Sequence, residues 1–331
     1  MRESEMEKEP LIKVEKLKKY FPAKKGLFKR EERFVKAVDD VSFEISRGEN
    51  LALVGESGCG KTTTARLILR LVDPTSGSIN FAGKNLFNLS EEELRLIRPQ
   101  MQLVFQDPYA SLNPRKTIKQ ILGKPFSLHR ELSKEKIEDE VLRLLEIVGL
   151  TPPALFVDRY PHEFSGGQRQ RICIARAIAL NPSFVVADEP VSALDVSVRA
   201  QILNLLKDLQ ARLGITYLLI THDLAVVRSV SNRVAVMYLG RLVEMGGVSE
   251  LFRQPLHPYT EALLSATPIP DPQKSRSRAR TILRGDVPSP IDPPPGCRFH
   301  TRCPSSMKKC EETEPQLAQV DNRLVACHLR T

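Results

Sequence analysis

GESGCGKT, Gly55 to Thr62, decides how this chain is read. It fits the spacing G-x-x-x-x-G-K-[ST], and its flanks suit that spacing. LALV before it (Leu51 to Val54) is a short apolar run of the kind that forms a buried strand. TTARLILRLV after it predicts a helix with Leu67, Ile68 and Leu71 on one face. Strand, glycine-rich turn and helix start make an anion site. The first N–H groups of a helix lack an internal partner, and its dipole favours negative charge at that end. Gly55, Glu56, Ser57, Gly58, Cys59 and Gly60 supply the phosphate-wrapping loop. Lys61 is placed to reach the β- and γ-phosphates of a nucleotide. Thr62 offers a hydroxyl to Mg²⁺, with Thr63 beside it in the same turn.

The 331 residues suffice for one large α/β domain and a smaller one. Hydrophobic content of 41% and charged content of 27% are ordinary for a globular protein. There is no uncharged apolar run of the roughly 18 residues that a membrane span requires. The first ten residues, MRESEMEKEP, are charged throughout and lack the apolar centre of a signal peptide. They read as a flexible leader, and the chain as cytosolic. The net charge of +9 is spread out, with clusters at Lys24–Arg33 and Lys274–Arg284. No aromatics are interleaved as a nucleic-acid stacking platform needs, and Trp is absent, so no nucleic-acid partner is expected.

The rest of the chain supplies candidates in order. From Leu11, LIKVEKL alternates as a half-buried strand does and ends at Tyr20-Phe21-Pro22. Tyr20 reads as a stacking partner for adenine or as a packing residue. VKAVDDVSFEI (Val35 to Ile45) is a second alternating strand, and DPTSGSINFAGKNL reads as turn, strand, turn. Ser90 followed by three glutamates opens a helix. Met101 to Arg115 is an apolar strand ending in Gln106, then a proline-broken loop. Gln106 is suited to ligate Mg²⁺ or to position a water. Ser133 to Leu150 repeats apolar residues at three- and four-residue steps, as an amphipathic helix does.

Ser165, Gly166, Gly167 and Gln168 open another helix, with Ile172, Ala175, Ile178 and Ala179 facing inward. This is a second phosphate-binding helix start. A chain that holds one nucleotide has no evident use for two, so the second faces a nucleotide held by another subunit. SFVVADEP is a buried strand ending in Asp188, suited to hold Mg²⁺ through water, and Glu189, suited to polarise the attacking water. SALD (Ser192 to Asp195) and a helix from about Val198 to Leu213 follow. Strand Tyr217–Ile220 then points His222 at the same edge, in reach of a γ-phosphate. RVAVMYLGRLVEMG reads as a hairpin turning at Leu239-Gly240.

Beyond Gly247 two short helices are separated by Pro255 and Pro258, and a proline-rich stretch must be extended. Cys297, Cys303, Cys310 and Cys327 close the chain at steps of 6, 7 and 17. Four thiols in a cytosolic tail mean a metal more often than disulfides. The spacing lacks the CxxC pairs of a zinc ribbon, whereas iron–sulfur clusters tolerate other spacings.

With these residues collected, the chain resembles the ATP-binding subunits of ABC transporters over roughly Leu11 to Gly247. Tyr20, the Walker A loop, Gln106, FSGGQ at Phe164–Gln168, VVADE as Walker B, SALD and His222 stand in the family's order. Phe164 departs from the commoner Leu by an apolar swap. The implied fold is an α/β P-loop NTPase, with a RecA-like core, an antiparallel β subdomain and an α-helical subdomain at about 107–180. A small Cys-rich extension at 248–331 is added. The resemblance also implies a head-to-tail dimer sandwiching two ATP molecules, each with Mg²⁺. The Walker A loop of one subunit then faces Ser165–Gln168 of the other. Glu189 is implied as catalytic base, with His222 beside it.

VFQDPYASLNPR, RYPHEFSGGQRQR, HPYTEALLSATP and GCRFHTRCP…C…CHL are similar, more narrowly, to the oligopeptide/dipeptide importer branch and its F-type ATPase subunit. That implies a heterodimer with a paralogous ATPase, two transmembrane permease subunits and, through them, an extracytoplasmic solute-binding protein. The place of work is the cytoplasmic face of the membrane. It also implies a 4Fe–4S cluster on the four terminal cysteines, with Zn²⁺ as the alternative. An ABC ATPase acting on nucleic acid carries long coiled coils or a second Walker set, and this chain has neither. A metal sensor with vestigial motifs is disfavoured because Lys61, Ser165 and Glu189 are all present.

Overall fold

The computed structural model describes residues 9–23, 33–266, 283 and 285–331. The leader at 1–8 and most of both basic clusters lie outside the described residues. The chain divides into two compact units. The first takes the chain up to Ser46, Asn50–Asn88 and Ile220–Thr331; the second takes Arg47–Glu49 and Leu89–Leu219.

In the first unit, β1 (Ile12–Pro22), β2 (Phe34–Ile45), β4 (Ser76–Phe81) and β5 (Lys84–Asn85) form an antiparallel sheet of order β2-β1-β4-β5. β3 (Asn50–Val54) is buried at every residue, which is why it reads as an apolar run and does not alternate. It pairs in parallel with β9 (Arg233–Tyr238). β9 continues through the foreseen hairpin into β10 (Arg241–Gly247). Leu239 and Gly240 turn the chain at φ 42° and 81°, the left-handed pair that matches a tight hairpin. Little of this turn's backbone is left over. Gly240 N–H donates to Cys59 O at 2.9 Å, Gly240 O accepts from Asp39 N–H at 2.9 Å, and Leu239 O accepts from Arg298 at 2.5 Å.

Helix α1 (Lys61–Ile68) buries Leu67 and Ile68 as expected, but it stops at Ile68. Leu71 therefore lies past the helix and is exposed, which corrects its expected place on the inner face.

The residues after Gly247 are built into this same unit. Two short helices, at Val248–Arg253 and Pro258–Ala266, follow β10; Pro255 lies between them as read from the sequence, whereas Pro258 is the first residue of the second helix. β12 (Arg323–Val325) pairs with β10, and β11 (Ala318–Val320) pairs with β12. Tyr259 and Phe299 pack against Tyr238 of β9 with ring centroids 4.7 and 5.2 Å away, all three almost fully buried. Such tilted aromatic contacts add to the area that the rings bury. The turn between the two helices is held by the wholly buried Glu244 of β10. Its carboxylate accepts from the N–H groups of Leu256 and His257 at 3.0 and 2.9 Å and pairs with Arg323 at 3.6 Å. A carboxylate out of water persists only with partners of this kind. The proline-rich stretch at 285–296 has neither helix nor strand, and Pro290 O accepts from Lys36 N–H at 3.0 Å.

In the second unit β6 (Met101–Val104) and β7 (Phe184–Asp188) pair in parallel, with β8 (Thr216–Thr221) on the far side of β7. The Ser90 helix, Glu91–Ile97, begins with a complete capping box between Ser90 and Glu93. The amphipathic helix runs Lys134–Ile147 and buries Val141, Leu144 and Leu145. The longest helix that was not foreseen among the described residues is Ile118–His129. It carries Gly123 and Pro125 inside it, which hid its period, yet it buries Ile118, Leu122 and Phe126. The proline-broken loop after Gln106 contains one helical turn, Pro108–Ser111, capped by Asp107. Among the described residues no helix is long and apolar enough to cross a membrane.

Candidate functional site

In the first unit the loop Gly55–Gly60 leaves the buried end of β3 and enters α1. Gly60 sits at φ 110°, and a Cβ there would stand 2.1 Å from Ala37 O, so only glycine fits. As N-cap it offers no side chain, so no side-chain cap hydrogen bond closes the start of α1. The helix end is thus left for an external acceptor. Lys61 is buried, and its ammonium donates to the carbonyls of Gly55 and Glu56 at 2.7 and 2.9 Å. The Cys59 thiol is buried beneath the loop; burial pushes its pKa up against the opposing pull of Lys61. Ser57 and Gly58 form the exposed tip, while Thr62 and Thr63 are half-buried in the first helical turn. His222 is exposed just after β8.

Tyr20 lies on β1, and its hydroxyl donates to Asp39 Oδ1 at 2.5 Å. Burial and the Asp39 carboxylate push the Tyr20 pKa up to about 12. Burial works against an ionised Asp39, but the Tyr20 hydroxyl, Arg298 and Arg241 outweigh it and hold the carboxyl below its ordinary range.

In the second unit the structure brings Gln106 and Glu189 together. The Gln106 amide donates to Glu189 Oε2 at 2.7 Å. Gln106 stands two residues past the end of β6, a little later than its expected strand-end place. Asp188 ends β7 and is buried. Glu189 follows at φ 46°, a left-handed backbone that a glutamate adopts only where its surroundings hold it. Asp195 caps the helix Val196–Leu213, accepting from Val198 N–H at 3.0 Å and Ser197 Oγ at 2.9 Å. Those bonds lower its pKa.

The helix Gly166–Ile178 begins, as expected, at Ser165. Ser165 Oγ accepts from Gln168 N–H at 3.3 Å, and Gln168 Oε1 accepts from Ser165 N–H at 3.0 Å. Gly167 is required by contact: a Cβ would come within 2.5 Å of Val198. Phe164 is buried, as an apolar substitute for Leu should be.

The four terminal cysteines lie within one another's fields but do not form a ready metal site. Burial, then the neighbouring Cys310, Cys327 and Cys303, pushes the Cys297 thiol up to about 11. Cys303 and Cys327 are likewise raised, by burial first and then by nearby thiols. All four are free. Among the described residues no group of three or more His, Cys, Asp or Glu is placed to hold a metal ion. The expected 4Fe–4S cluster is to that extent unsupported.

Sequence reasoning missed a set of contacts on the phosphate loop. Arg302, one residue before Cys303, donates from both Nη atoms to the Glu56 carboxylate at 2.8 and 3.1 Å. Glu56 N–H donates to the Tyr259 hydroxyl at 2.9 Å. Arg298, one residue after Cys297, pairs with Asp39. These partners are more than 200 residues apart, and no local pattern announces them.

Fold and loop together define an ABC-type ATPase, and comparison with known proteins agrees. The ABC transporter family matches residues 38–192, and the oligopeptide/dipeptide transporter C-terminal region matches residues 243–310. The oligopeptide transport ATP-binding protein AppF of Bacillus subtilis is 53% identical over 97% of this chain and 98% of its own length. The dipeptide transport ATP-binding protein DppF of Escherichia coli is 51% identical over 96% and 94%. A dimeric, post-hydrolysis structure of the ATP-binding cassette MJ0796 bound to ADP and Pi superposes with a TM-score of 0.63 at 30% identity, covering 72% of this chain and 98% of that one. The chain belongs to the ABC transporter ATP-binding proteins, in the branch that carries the oligopeptide/dipeptide transporter C-terminal region.

Proposed function

We propose that this chain hydrolyses ATP to drive import of oligopeptides or dipeptides through a membrane permease. The observation that carries this reading is an uncapped phosphate loop in a chain about half identical, end to end, to peptide-transport ATP-binding proteins. Lys61 leaves the loop carbonyls for the β- and γ-phosphates, and Tyr20 stacks on the base. Thr62, Gln106 and Asp188 are hard oxygen donors of the kind Mg²⁺ prefers, and the ion neutralises phosphate charge when bound. Glu189 accepts a proton from the attacking water, with Gln106 orienting its carboxylate and His222 reaching the γ-phosphate. Ser165–Gln168 closes on the nucleotide of a paired ATPase, with Asp195 nearby at the same dimer face. The dimeric state of the MJ0796 cassette supports such a pairing. The partner in this reading is a paralogue, giving a heterodimer with ATP-binding parts at 11–247 and extensions at 248–331.

Docking to two permease subunits at the cytoplasmic face belongs to the same reading, and a hollow of about 420 Å³ in the second unit, lined by both apolar and basic side chains, is a candidate surface for it. Leu96 and Leu128, 79% and 50% exposed, line it. A solute-binding protein delivers cargo on the far side. For the four terminal thiols the reading is a 4Fe–4S cluster, with Zn²⁺ as the alternative. Iron, sulfide and zinc assays with visible spectra of anaerobically purified protein decide between them, and a metal-free, colourless sample ends both.

The test of function is ATP hydrolysis by the wild type and Glu189→Gln, alone and with candidate permeases in lipid. The variant should bind ATP yet turn over about 10²–10⁴-fold more slowly, the usual worth of a positioned base. Stimulation by DNA or RNA in place of permeases would overturn the transport reading.

A further inference from the structure

Between Cys297 and Cys303 the chain makes a single turn of 3₁₀ helix, His300–Arg302, anchored by the buried ring of Phe299. The arginines flanking that anchor reach two different parts of the nucleotide site. Arg302 meets Glu56 in a two-pronged ion pair, with the Arg302 side chain 8% exposed. Arg fits a carboxylate in this fork as Lys does not. Glu56 is the second residue of the phosphate loop, so its negative charge is carried by the segment expected to wrap a triphosphate. Unpaired, the carboxylate would repel the phosphates; paired, it ties the loop to the extension. Tyr259 takes the N–H of the same residue, so side chain and backbone are both held by residues beyond Gly247. On the other side Arg298 pairs with Asp39, which in turn receives the Tyr20 hydroxyl. Arg298 also donates to Leu239 O, fixing its guanidinium.

We propose that Arg302 and Arg298 are positioning residues of the nucleotide site: Arg302 sets the phosphate loop through Glu56, and Arg298 sets the base-stacking Tyr20 through Asp39. The C-terminal extension is then part of the ATP-binding apparatus. The proposal rests on the ATP reading above, and the ligand pair chosen for its test keeps the two failures apart.

Equilibrium binding of ATP and of inorganic tripolyphosphate to the full chain, with melting curves, supplies the test. Arg302→Gln should weaken both ligands about tenfold, the scale of a lost charged hydrogen bond. Adding Glu56→Gln to that variant should restore much of the affinity, because the unpaired carboxylate is gone. Arg302→Lys, which keeps the charge without the fork, should fall between, and it serves if Arg302→Gln does not fold. Arg298→Gln should weaken ATP about tenfold and tripolyphosphate much less, since its reach is toward the base. Equal loss of both ligands in Arg298→Gln, or unchanged binding in folded Arg302 variants, overturns the assignment. A wild type that binds neither ligand overturns the ATP reading itself.

Discussion

The helix Lys61–Ile68 follows a glycine and the helix Gly166–Ile178 begins with one, yet they treat their first N–H groups in opposite ways. Gly60 caps the first with no side chain, and the loop before it is held from outside by Arg302 and Tyr259. Ser165 and Gln168 cap the second reciprocally, from inside its own first turn. An end left open is ready to take a phosphate but needs a brace elsewhere to keep its shape. An end closed by its own residues is rigid before any ligand arrives, and so suits a surface that meets a nucleotide carried by another chain. Which residues brace a helix end therefore tells which ligand it awaits.

The largest effect that bears on this contrast is at the open end. Lys61→Ala should cut ATP hydrolysis by about 10²–10³-fold, the scale of losing one preorganised charge contact, with ATP affinity falling too. A variant that hydrolysed normally would show that the open end is not the phosphate site.

Acid should separate the two ends next. His257 is buried, its Nδ1 accepts from Tyr259 N–H at 3.0 Å, and burial pushes its pKa down to about 3 from 6.5. Between those values the unfolded chain binds a proton that the folded chain refuses. Stability from this group is complete above pH 6.5 and is lost as pH falls toward 3. The slope is about 1.4 kcal/mol per pH unit. Melting curves from pH 7 downward should show it, and His257→Gln should flatten it. Amide exchange should rise around the loop at 55–60, beside Tyr259, before it rises in the helix Gly166–Ile178. Equal rises at both ends would mean that the brace is not local.

The smallest effect is at the closed end. Ser165→Ala removes the N-cap and should cost about 1 kcal/mol of stability, read by denaturant melts. In the proposed dimer, hydrolysis should fall as well. If the isolated chain lost as much ATP affinity as Lys61→Ala does, the distinction between the two ends would vanish.

Much of this was legible in the sequence because the motifs are local. Lys61 and Ser165 each have partners a few residues away, Gly55 and Glu56 for the first and Gln168 for the second, and Lys61 and Glu189 follow short apolar strands. Leu71 was misplaced because a helical period says where a face lies but not where the helix stops. The helix Ile118–His129 was hidden because tertiary burial of Ile118, Leu122 and Phe126 overrides the poor propensity of Gly123 and Pro125. The brace on the phosphate loop was not legible at all. It joins an ordinary glutamate to an ordinary arginine across most of the chain, and only the folded core around Phe299 brings them together.

The hairpin tip at Leu239-Gly240 has a practical consequence. Loop tips are usually the places where tags, epitopes and new chain ends are tolerated. Here the tip's carbonyls and one of its N–H groups are engaged with Cys59, Asp39 and Arg298, so it serves as a junction inside the protein. A label or circular-permutation cut placed there would disconnect the phosphate loop from its supports while leaving every sequence motif intact.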